Sequence, residues 1–478
     1  MIKRSLKTPV CVASLLLLSA CTMAPHYERP ASPVAQQIDN AGQAESARAA
    51  DIGWREFYRN AQLQHLIDQA LENNRDLRVA ALTVEQVRAQ YRIQRAQLLP
   101  AINISGSGTR QRVSGAVSET GSSYIAEQYS AGVGISAYEL DLFGRVQSLK
   151  NRALAQYLST DEARKSVQLS LIAEVADAYF TWVANVEFLT LTENTLAARQ
   201  QSYEMVKQRF DMGISSELDL SQAATALHIA RVDAALYQRQ LSESFTALQV
   251  LVGTALNAEQ LQAAWDDEML AEFPQQISSE VLLQRPDILQ AEYTLQGANA
   301  NIGAARAAFF PQITLTGLYG NASSELDNLF DSGTYAWSFS PRISLPIFSW
   351  GANVAALDVA NLQKDVDIAR YERAIQSAFK EVFDGLNAQS TLLVQLNAQE
   401  DLVAASGRSY ELAELRYEKG VDSYLEVLDS QRSYNTAQQS LISTRLARLR
   451  NQVTLYKALG GGLLETSIPA NQRAVSSR

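Results

Sequence analysis

The sequence of 478 residues predicts a mostly α-helical chain with a membrane β-barrel portion, built from two tandem structural repeats. Three observations lead to this prediction. First, an export signal is followed by no apolar run long enough for a membrane helix. Second, blocks of sequence recur 207 residues downstream. Third, two pairs of segments in which apolar and polar residues alternate lie among very long stretches without proline. Together they indicate a chain that crosses a membrane with strands and extends away from it with helices.

The N-terminus has the features of an export signal. Three basic residues lie within the first seven positions, and an apolar core follows at residues 9–20, too short to cross a bilayer. The core ends in Leu18-Ser19-Ala20-Cys21, which resembles the lipobox of bacterial lipoproteins. The resemblance implies cleavage before Cys21 and then a covalent lipid there (S-diacylglycerol and an N-acyl group). By the same resemblance, Thr22 in place of an aspartate permits sorting to the outer membrane. The alternative is an ordinary signal peptide with a chance cysteine.

The charge balance argues against a nucleic-acid partner. The whole chain carries a net charge of −10, and loss of Lys3, Arg4 and Lys7 with the signal leaves 38 basic and 51 acidic residues, a net charge of −13. Such an acidic chain repels the phosphate backbone. Cys11 is removed with the signal, so a single cysteine remains and we expect no disulfide.

The chain contains a tandem duplication. "YEMVKQRFDMGISSELD" at residues 203–219 parallels "YELAELRYEKGVDSYLE" at residues 410–426. Three glycines recur 207 residues later: Gly144, Gly213 and Gly253 as Gly351, Gly420 and Gly460. A period this long is typical of two similar halves of one architecture rather than of a solenoid.

The duplication predicts the organisation of the whole chain. We expect a signal peptide at 1–20, a lipidated extended segment at 21–55, a first repeat at 56–262, a second repeat at 263–466 and a flexible tail at 467–478. Each repeat reads as a helix, two strands and a helical hairpin. The predicted strands are 99–113 and 124–140, then 311–322 and 334–348, and the predicted hairpin tips lie near 213 and 420.

The strands have one apolar and one small or polar face. In "TYAWSFSPRISLPIF" at 334–348, the apolar residues fall on odd positions, including Tyr335, Trp337, Leu345 and Ile347. In "YSAGVGISAYEL" at 129–140, the apolar set runs through Val133 and Ile135 to Ala137. Such faces suit a barrel wall between lipid and water, with the serines and Arg342 toward the water. Four strands cannot close a channel, so further copies must complete it. A small soluble β-sandwich is the alternative.

The remaining text predicts very long helices. Residues 145–212 contain neither glycine nor proline, and their counterpart at 352–419 is interrupted only by Gly385 and Gly407. At about 1.5 Å per residue, one such helix would be roughly 100 Å long. After Gly213 and Gly420 the chain continues without a break for another 39 residues, so each repeat ends in a long antiparallel helical hairpin.

This arrangement resembles the TolC-like outer-membrane factors of tripartite export systems. "ELDLFGR" at Glu139, "LLQRPDILQAE" at Leu282 and "ANIGAARAAFFP" at Ala300 resemble the lipoprotein branch that serves multidrug efflux, the OprM-like or NodT factors. The resemblance covers residues 51–459. It implies a homotrimer with a twelve-stranded β-barrel in the outer membrane and a long periplasmic α-helical barrel.

The same resemblance implies a function and partners. The expected function is a passive exit duct of an RND-type efflux system linked to antibiotic resistance. The duct would open on contact with a periplasmic adaptor (membrane fusion protein) or an inner-membrane pump. One alternative is the duct of a type I protein-secretion system, and another is a structural lipoprotein that spans the periplasm. The resemblance also places the adaptor-contacting tips at Gly213, Ser216, Gly420 and Ser423.

A duct must be closed at rest, and the hairpin tips are where helices can converge. Leu425 and Asp429 lie four residues apart on one helix face, with Glu426 beside them. Threefold symmetry would make Leu425 an apolar plug and the two acids anionic rings, with a divalent cation conceivable at the Asp429 ring. The alternative is a set of solvated carboxylates at an ordinary helix end.

The first copy offers a weaker version of this constriction, because it has Leu218 and Asp219 but Gln222 in place of the second acid. By resemblance, Arg416 and Tyr417 sit where closing contacts are made.

The sequence contains no recognisable catalytic motif. His26, His65 and His228 are far apart, with no second histidine or cysteine at metal-ligand spacing, and neither a nucleophile elbow nor a phosphate-binding loop is present. We therefore expect no enzyme activity, no bound metal apart from the Asp429 ring, and no cofactor other than the lipid on Cys21.

Overall fold

The computed structural model describes residues 22–34, 49–263, 265, 269–271 and 279–467. The predicted signal peptide, Cys21 and residues 468–478 of the predicted tail lie outside the described residues. Among the described helices, none carries an apolar stretch long enough to cross a membrane.

The first repeat contains five helices and two strands. They are α1 (Trp54–Phe57), α2 (Ala61–Asn73), α3 (Arg75–Ala96), β1 (Ile102–Val113), β2 (Tyr124–Leu140), α4 (Arg145–Asp211) and α5 (Glu217–Val252). The second repeat contains three helices and two strands among its described residues. They are α6 (Pro286–Ala307), β3 (Gln312–Ser323), β4 (Tyr335–Ser344), α7 (Ala352–Glu418) and α8 (Tyr424–Ala458).

The structure confirms a mostly helical chain of two tandem repeats. Helices α4 and α7 both have 67 residues, and they begin and end 207 positions apart. The six glycines that recur in the sequence all have positive φ, between 70° and 82°. This left-handed conformation is readily adopted only by glycine, and it commonly ends a helix. The repeated glycines therefore mark the same chain reversals in both copies.

The chain divides into two compact units. The first unit comprises the described residues 22–31, 83–161 and 290–371, and it contains an antiparallel sheet in the order β1-β2-β3-β4. Directly paired residues put their side chains on the same face of a sheet. One apolar row crosses all four strands: Ile104, Val133, Tyr319 and Trp337. The next row, on the opposite face, is small: Ser105, Gly132, Gly320 and Ala336.

The predicted alternation of β2 is wrong at one point. A register shift lies between Ile135 and Tyr138, so β2 has one residue more than β3 over this stretch. Ala137 adopts a positive φ of 50°, and its N–H donates to the Thr316 hydroxyl at 3.2 Å. Such a bulge increases the local twist of the strand. Ala137 therefore does not continue the regular face of Val133 and Ile135.

The predicted end of β4 is also wrong. The strand stops at Ser344, which pairs with Gln312, the first residue of β3. Beyond it the partner strand offers no further residues, and Pro346 has no N–H to donate. Leu345 and Ile347 are exposed but lie outside the strand. At the other strands the differences are small, because β1 begins three residues later than predicted and β3 is displaced by one.

Among the described residues, the second unit comprises 32–34, 49–82, 162–263, 265, 269–271, 279–289 and 372–467, and it holds both hairpin tips. Its core includes the ring of Tyr456 stacked on Phe57 at 3.9 Å between centroids, and the Tyr456 hydroxyl donates to the Ile52 carbonyl. The buried Arg285 donates to the Ala458 carbonyl at 2.7 Å and forms ion pairs with Asp287 and Glu381. These contacts fix the end of α8 against the start of α6.

Candidate functional site

The two hairpin tips have the same backbone structure. In the first copy, the N–H of Ile214 donates to the Arg209 carbonyl at 2.8 Å, and in the second copy the N–H of Val421 donates to the Arg416 carbonyl at 2.9 Å. An added Cβ at Gly213 or Gly420 would meet nothing within 4 Å, so these turns are open to solvent. The glycines are required by their positive φ rather than by crowding.

At the first tip, two of the predicted site residues form a capping box at the start of α5. The hydroxyl of Ser216 accepts from the Asp219 N–H at 3.1 Å, and the Asp219 carboxylate accepts from the Ser216 N–H at 3.1 Å. The carboxylate of Asp219, predicted at the constriction, thus caps the first turn of α5. Ser423 begins α8 without such a side-chain bond.

The second tip contains an ion pair that the first lacks. The Arg416 guanidinium donates to both carboxylate oxygens of Asp422, at 2.5 and 2.8 Å. This pair holds the pKa of Asp422 below its usual range. The first-copy counterpart of Asp422 is Ser215. Arg416, predicted as a closing contact, is therefore bound within its own turn.

Tyr417, the other predicted closing residue, connects the two hairpins. Its ring lies 5.4 Å from that of Tyr424, and the guanidinium of Arg209 from the first copy lies 5.1 Å from the ring centroid. The ring also packs against a small buried cluster of Val206, Ala223, Tyr424 and Val427. Tyr417 thus joins first-copy and second-copy helices near their tips within one chain.

Three predicted constriction residues line one groove between α5 and α8. Leu218, Leu425 and Asp429 share this groove, which has a volume of about 610 Å³. The leucines are 66% and 57% exposed, so in a single chain neither is covered. Glu426 is exposed as well, but it does not line the groove.

Arg432 is a site residue that the sequence interpretation missed. Its guanidinium is hydrogen-bonded to the Asp429 carboxylate, three residues earlier on α8. The first copy has Thr225 at the equivalent position. The spacing of an acid and an arginine three residues apart was the available signal, since such pairs meet on a helix surface. Any ring of Asp429 carboxylates would therefore carry a matching ring of guanidinium groups.

The first unit contains a second feature that the sequence did not reveal, a strap formed by residues 22–29. Arg29 donates to both oxygens of Glu292 on α6, at 2.9 and 2.7 Å, and the Tyr27 hydroxyl donates to the same carboxylate at 3.2 Å. Glu292 is only 5% exposed. Its hydrogen bond raises the pKa of Arg29, and burial raises the pKa of Tyr27. A buried acid thus clamps the N-terminal segment.

The strap makes further contacts up to its first residue. Asn299 and Arg306 of α6 donate to the carbonyls of Pro25 and Met23, at 2.8 and 3.2 Å. Thr22 and Ser148 share a hydrogen bond of 3.0 Å between their hydroxyls. The residue that follows Cys21 is therefore held beside the first turn of α4.

The described residues contain no group of three or more histidine, cysteine, aspartate or glutamate side chains arranged to hold a metal ion. A cation at the level of Asp429 would need ligands from several copies of the chain.

A family model described as "Outer membrane efflux protein" matches residues 66–254 and 277–461. One match falls in each predicted repeat, and together they cover most of the chain.

Individual relatives agree with this match. The chain is 49% identical over 464 residues to the probable efflux pump outer membrane protein TtgC of Pseudomonas putida, covering 96% of each chain. It is 42% identical to the outer membrane protein OprJ of Pseudomonas aeruginosa, covering 94% of each. The open-state structure of the Neisseria gonorrhoeae MtrE outer membrane channel is 41% identical with a TM-score of 0.84, covering 94% of this chain and all of that one. The chain therefore belongs to the outer membrane efflux protein family.

Proposed function

We propose that the chain is the outer-membrane exit duct of a tripartite, RND-type efflux pump. Membership of the outer membrane efflux protein family supports this function and a position in the outer membrane. Membership also confirms that the chain is a transport protein rather than an enzyme. A curated relative in Pseudomonas putida is named a toluene efflux pump protein and another an antibiotic efflux pump protein, so organic solvents and antibiotics are the proposed cargo.

The observation that carries the proposal is the sheet with two open edges. Within the described part of the chain, strands β1 and β4, of 12 and 10 residues, each pair on one side only. Unpaired edges are not tolerated in lipid, where every backbone polar group needs a partner. Three copies of this sheet would supply twelve strands and pair every edge. We therefore propose a homotrimer in which the row containing Trp337 faces the lipid.

The strap supports a lipid anchor. Thr22 is fixed beside Ser148, shortly after the end of β2, so a lipid on Cys21 would be attached near the membrane strands. We propose that Cys21 carries the diacylglycerol and N-acyl groups, and that Glu292 and Arg29 hold the anchor at this level.

The tips support a constriction and a docking end. We propose that Leu425 and Leu218 form the apolar part of the constriction and that Glu426 and Asp429 form anionic rings, with a divalent cation at the Asp429 level. Asp219 would contribute to the constriction indirectly, because its carboxylate caps the first turn of α5, the helix that carries Leu218. The adaptor would contact the open turns at Gly213 and Gly420 with Ser216 and Ser423, and the pump would complete the assembly.

Arg416 and Tyr417, which are adjacent at the end of α7, would hold the closed arrangement. Arg416 does so through Asp422, which stiffens the turn, and Tyr417 through its contact with Arg209. Opening by adaptor or pump would then require movement of α8 relative to α5.

Complementation tests the proposed function. The chain is expressed in a Gram-negative host that lacks its own efflux channel but retains an RND pump and adaptor from a related system. We expect lower accumulation of ethidium and higher toluene tolerance than in the empty host. The control omits the pump. Equal accumulation with and without the chain, despite trimer in the outer membrane, contradicts an efflux role, and secretion of a protein substrate instead would support a type I system.

Labelling with radioactive palmitate tests the anchor. We expect label on the wild-type chain and none on Cys21→Ser, while the trimer persists because the barrel is the larger anchor. Label that survives in Cys21→Ser would refute lipidation at this residue.

A further inference from the structure

One buried charge in the described part of the chain lacks an ion-pair partner. Five charged side chains there are buried, and four of them have an oppositely charged group within 3.0 Å. These four are Glu162 with Lys165, Arg285 with Asp287, Glu292 with Arg29, and Asp367 with Arg370. The fifth is Arg199 on α4, which is only 9% exposed.

The surroundings of Arg199 offer little compensation for its charge. No hydrogen bond from its guanidinium to another described residue is present, and the groups that act on it electrostatically are the phenols of Tyr410 and Tyr424. Burial lowers the pKa of Arg199. A buried, uncompensated charge is costly to a folded protein, and arginine stays protonated at neutral pH. An anion bound at Arg199 would therefore compensate this charge.

Arg199 lines the groove between α5 and α8, where such an anion could reach it. The groove combines amide and hydroxyl groups with apolar walls. The polar groups come from Thr195, Asn435 and Gln439, and the apolar walls come from Leu218, Leu425 and Leu428. A volume of about 610 Å³ lies within the range of small-molecule pockets.

Two carboxylates also line the groove, and they differ in their partners. Asp429 is hydrogen-bonded to Arg432, so its charge is partly offset. Asp233 has no ion pair among the described residues, and its field acts on Tyr237, whose pKa is raised mainly by burial and also by this charge. A cationic ligand would therefore meet Asp233, and an anionic one would meet Arg199. Only Arg199 is both buried and uncompensated, which favours the anion.

We propose that this groove binds a small organic anion with an apolar body, held by its carboxylate or sulfonate on Arg199. The planar guanidinium offers paired N–H donors that match a carboxylate, and the leucines cover the apolar body. The binding claim rests on the groove alone. Its consequence rests on the proposed function: an anion that contacts both α5 and α8 would respond to any movement that separates them.

Isothermal titration of the purified full-length protein with 1-naphthoate tests the proposal, with 1-naphthylmethylammonium as the cation of matched shape. We expect the wild type to bind the naphthoate and not the ammonium compound. Arg199→Gln should weaken naphthoate binding at least about tenfold, because a charge-assisted hydrogen bond is lost. Arg199→Lys should retain part of it. The matched control is Arg239→Gln on α5, an exposed residue paired with Glu243 outside the groove, which should bind like the wild type.

Thermal melting separates loss of binding from loss of folding. Arg199→Met should melt at or above the wild-type temperature without ligand, because an uncompensated buried charge is removed, and naphthoate should no longer raise its Tm. Asp233→Asn should bind naphthoate as tightly as the wild type or more tightly.

Equal binding by wild type and Arg199→Gln, preference for the ammonium probe, or absence of naphthoate binding to the wild type would each overturn the proposal. Heat-labile trimers in Arg199→Gln but not Arg239→Gln would overturn it in favour of a carboxylate from a neighbouring copy. Failure of efflux complementation with naphthoate binding intact would contradict the proposed function and leave the site standing.

Discussion

Arg416 and Asp422 form a two-pronged ion pair across the turn of the second hairpin, whereas the first hairpin has Arg209 and Ser215 at the same positions. The backbones of the two turns are otherwise alike. Arg209, which has no carboxylate at the position of Ser215 to pair with, lies over the ring of Tyr417. Asp422 therefore gives the second tip an ion pair that the first lacks, and it stiffens the turn that leads into α8, the helix proposed to move.

We expect Asp422→Ser to loosen the second turn without unfolding the chain. The pair lies at the surface, with the Arg416 side chain 57% and the Asp422 side chain 24% exposed, so global stability should barely change. The amides of Gly420 and Val421 should exchange with deuterium several-fold faster, as measured by mass spectrometry. Ser215→Asp is the matched control, since it should slow exchange at Ile214 by offering Arg209 a partner. Unchanged exchange at the second turn would show that the ion pair does not order it.

The same pair predicts a pH dependence. The pKa of Asp422 is lowered in the folded chain, so the pair contributes fully above the unfolded value of about 3.9 and is lost as pH falls through the lowered folded value. Exchange at Val421, corrected for its intrinsic rate, should therefore increase only in acid below about pH 4. Asp422→Ser should show no such step.

We expect Leu425→Ala with Asp429→Ala to widen the proposed constriction. Truncated leucines no longer exclude water, and the loss of three carboxylates removes the attraction for cations. In planar bilayers the wild type should show a small, cation-preferring conductance. The double variant should conduct several-fold more and lose its block by divalent cations. The first-copy pair, Leu218→Ala with Gln222→Ala, should do much less.

Arg432 sharpens this test of the constriction. Because its guanidinium offsets Asp429, Arg432→Gln should strengthen cation preference and divalent block without widening the channel. Equal conductance in the two double variants, or block that is indifferent to Arg432, would contradict a second-copy constriction at Asp429.

We expect Glu292→Gln to release the strap. The variant leaves Arg29 without its carboxylate partner, and Arg29 is half exposed, so it can turn to water. Exchange of the amides from Met23 to Arg29 should become roughly tenfold faster, the effect of losing a charge-assisted hydrogen bond. Glu325→Gln, an exposed loop acid bonded to Asn328, is the control. A strap that stays protected in Glu292→Gln would show that its other contacts suffice.

We expect Trp337→Asp to impair membrane insertion far more than Ser338→Asp. Trp337 belongs to the apolar row across the four strands, and Ser338 lies on the other face. A charge toward lipid costs a few kcal/mol near the bilayer centre, and a charge toward water costs little. The measurement is the yield of heat-modifiable trimer in outer membranes. Equal yields would contradict the assignment of the faces.

Much of the fold was readable from short stretches of sequence because it depends on properties of neighbouring residues. Positive φ requires glycine, a long helix excludes proline, and a half-buried strand alternates. The recurring glycines, the equal lengths of α4 and α7 and the apolar row through Trp337 follow from these local rules. Resemblance then provided the family and function, which the relatives support.

The strand details needed the pairing itself. β4 ends at Ser344 because β3 begins at Gln312, and the bulge at Ala137 arises where two strands of unequal local length meet. Neither follows from the alternation of one strand, since register is a property of a pair.

The sequence by itself determined the duplication, the long helices, the alternating strands and the acidic hairpin tip, because each is encoded within a few consecutive residues. Only the tertiary structure decided which charges distant in the sequence meet. Arg29 reaches Glu292 across 263 positions, and Arg199 is left buried without an acid on a helix whose local text gives no sign of it. Burial and pairing depend on how separate helices pack, and that packing brings together residues that no local pattern connects.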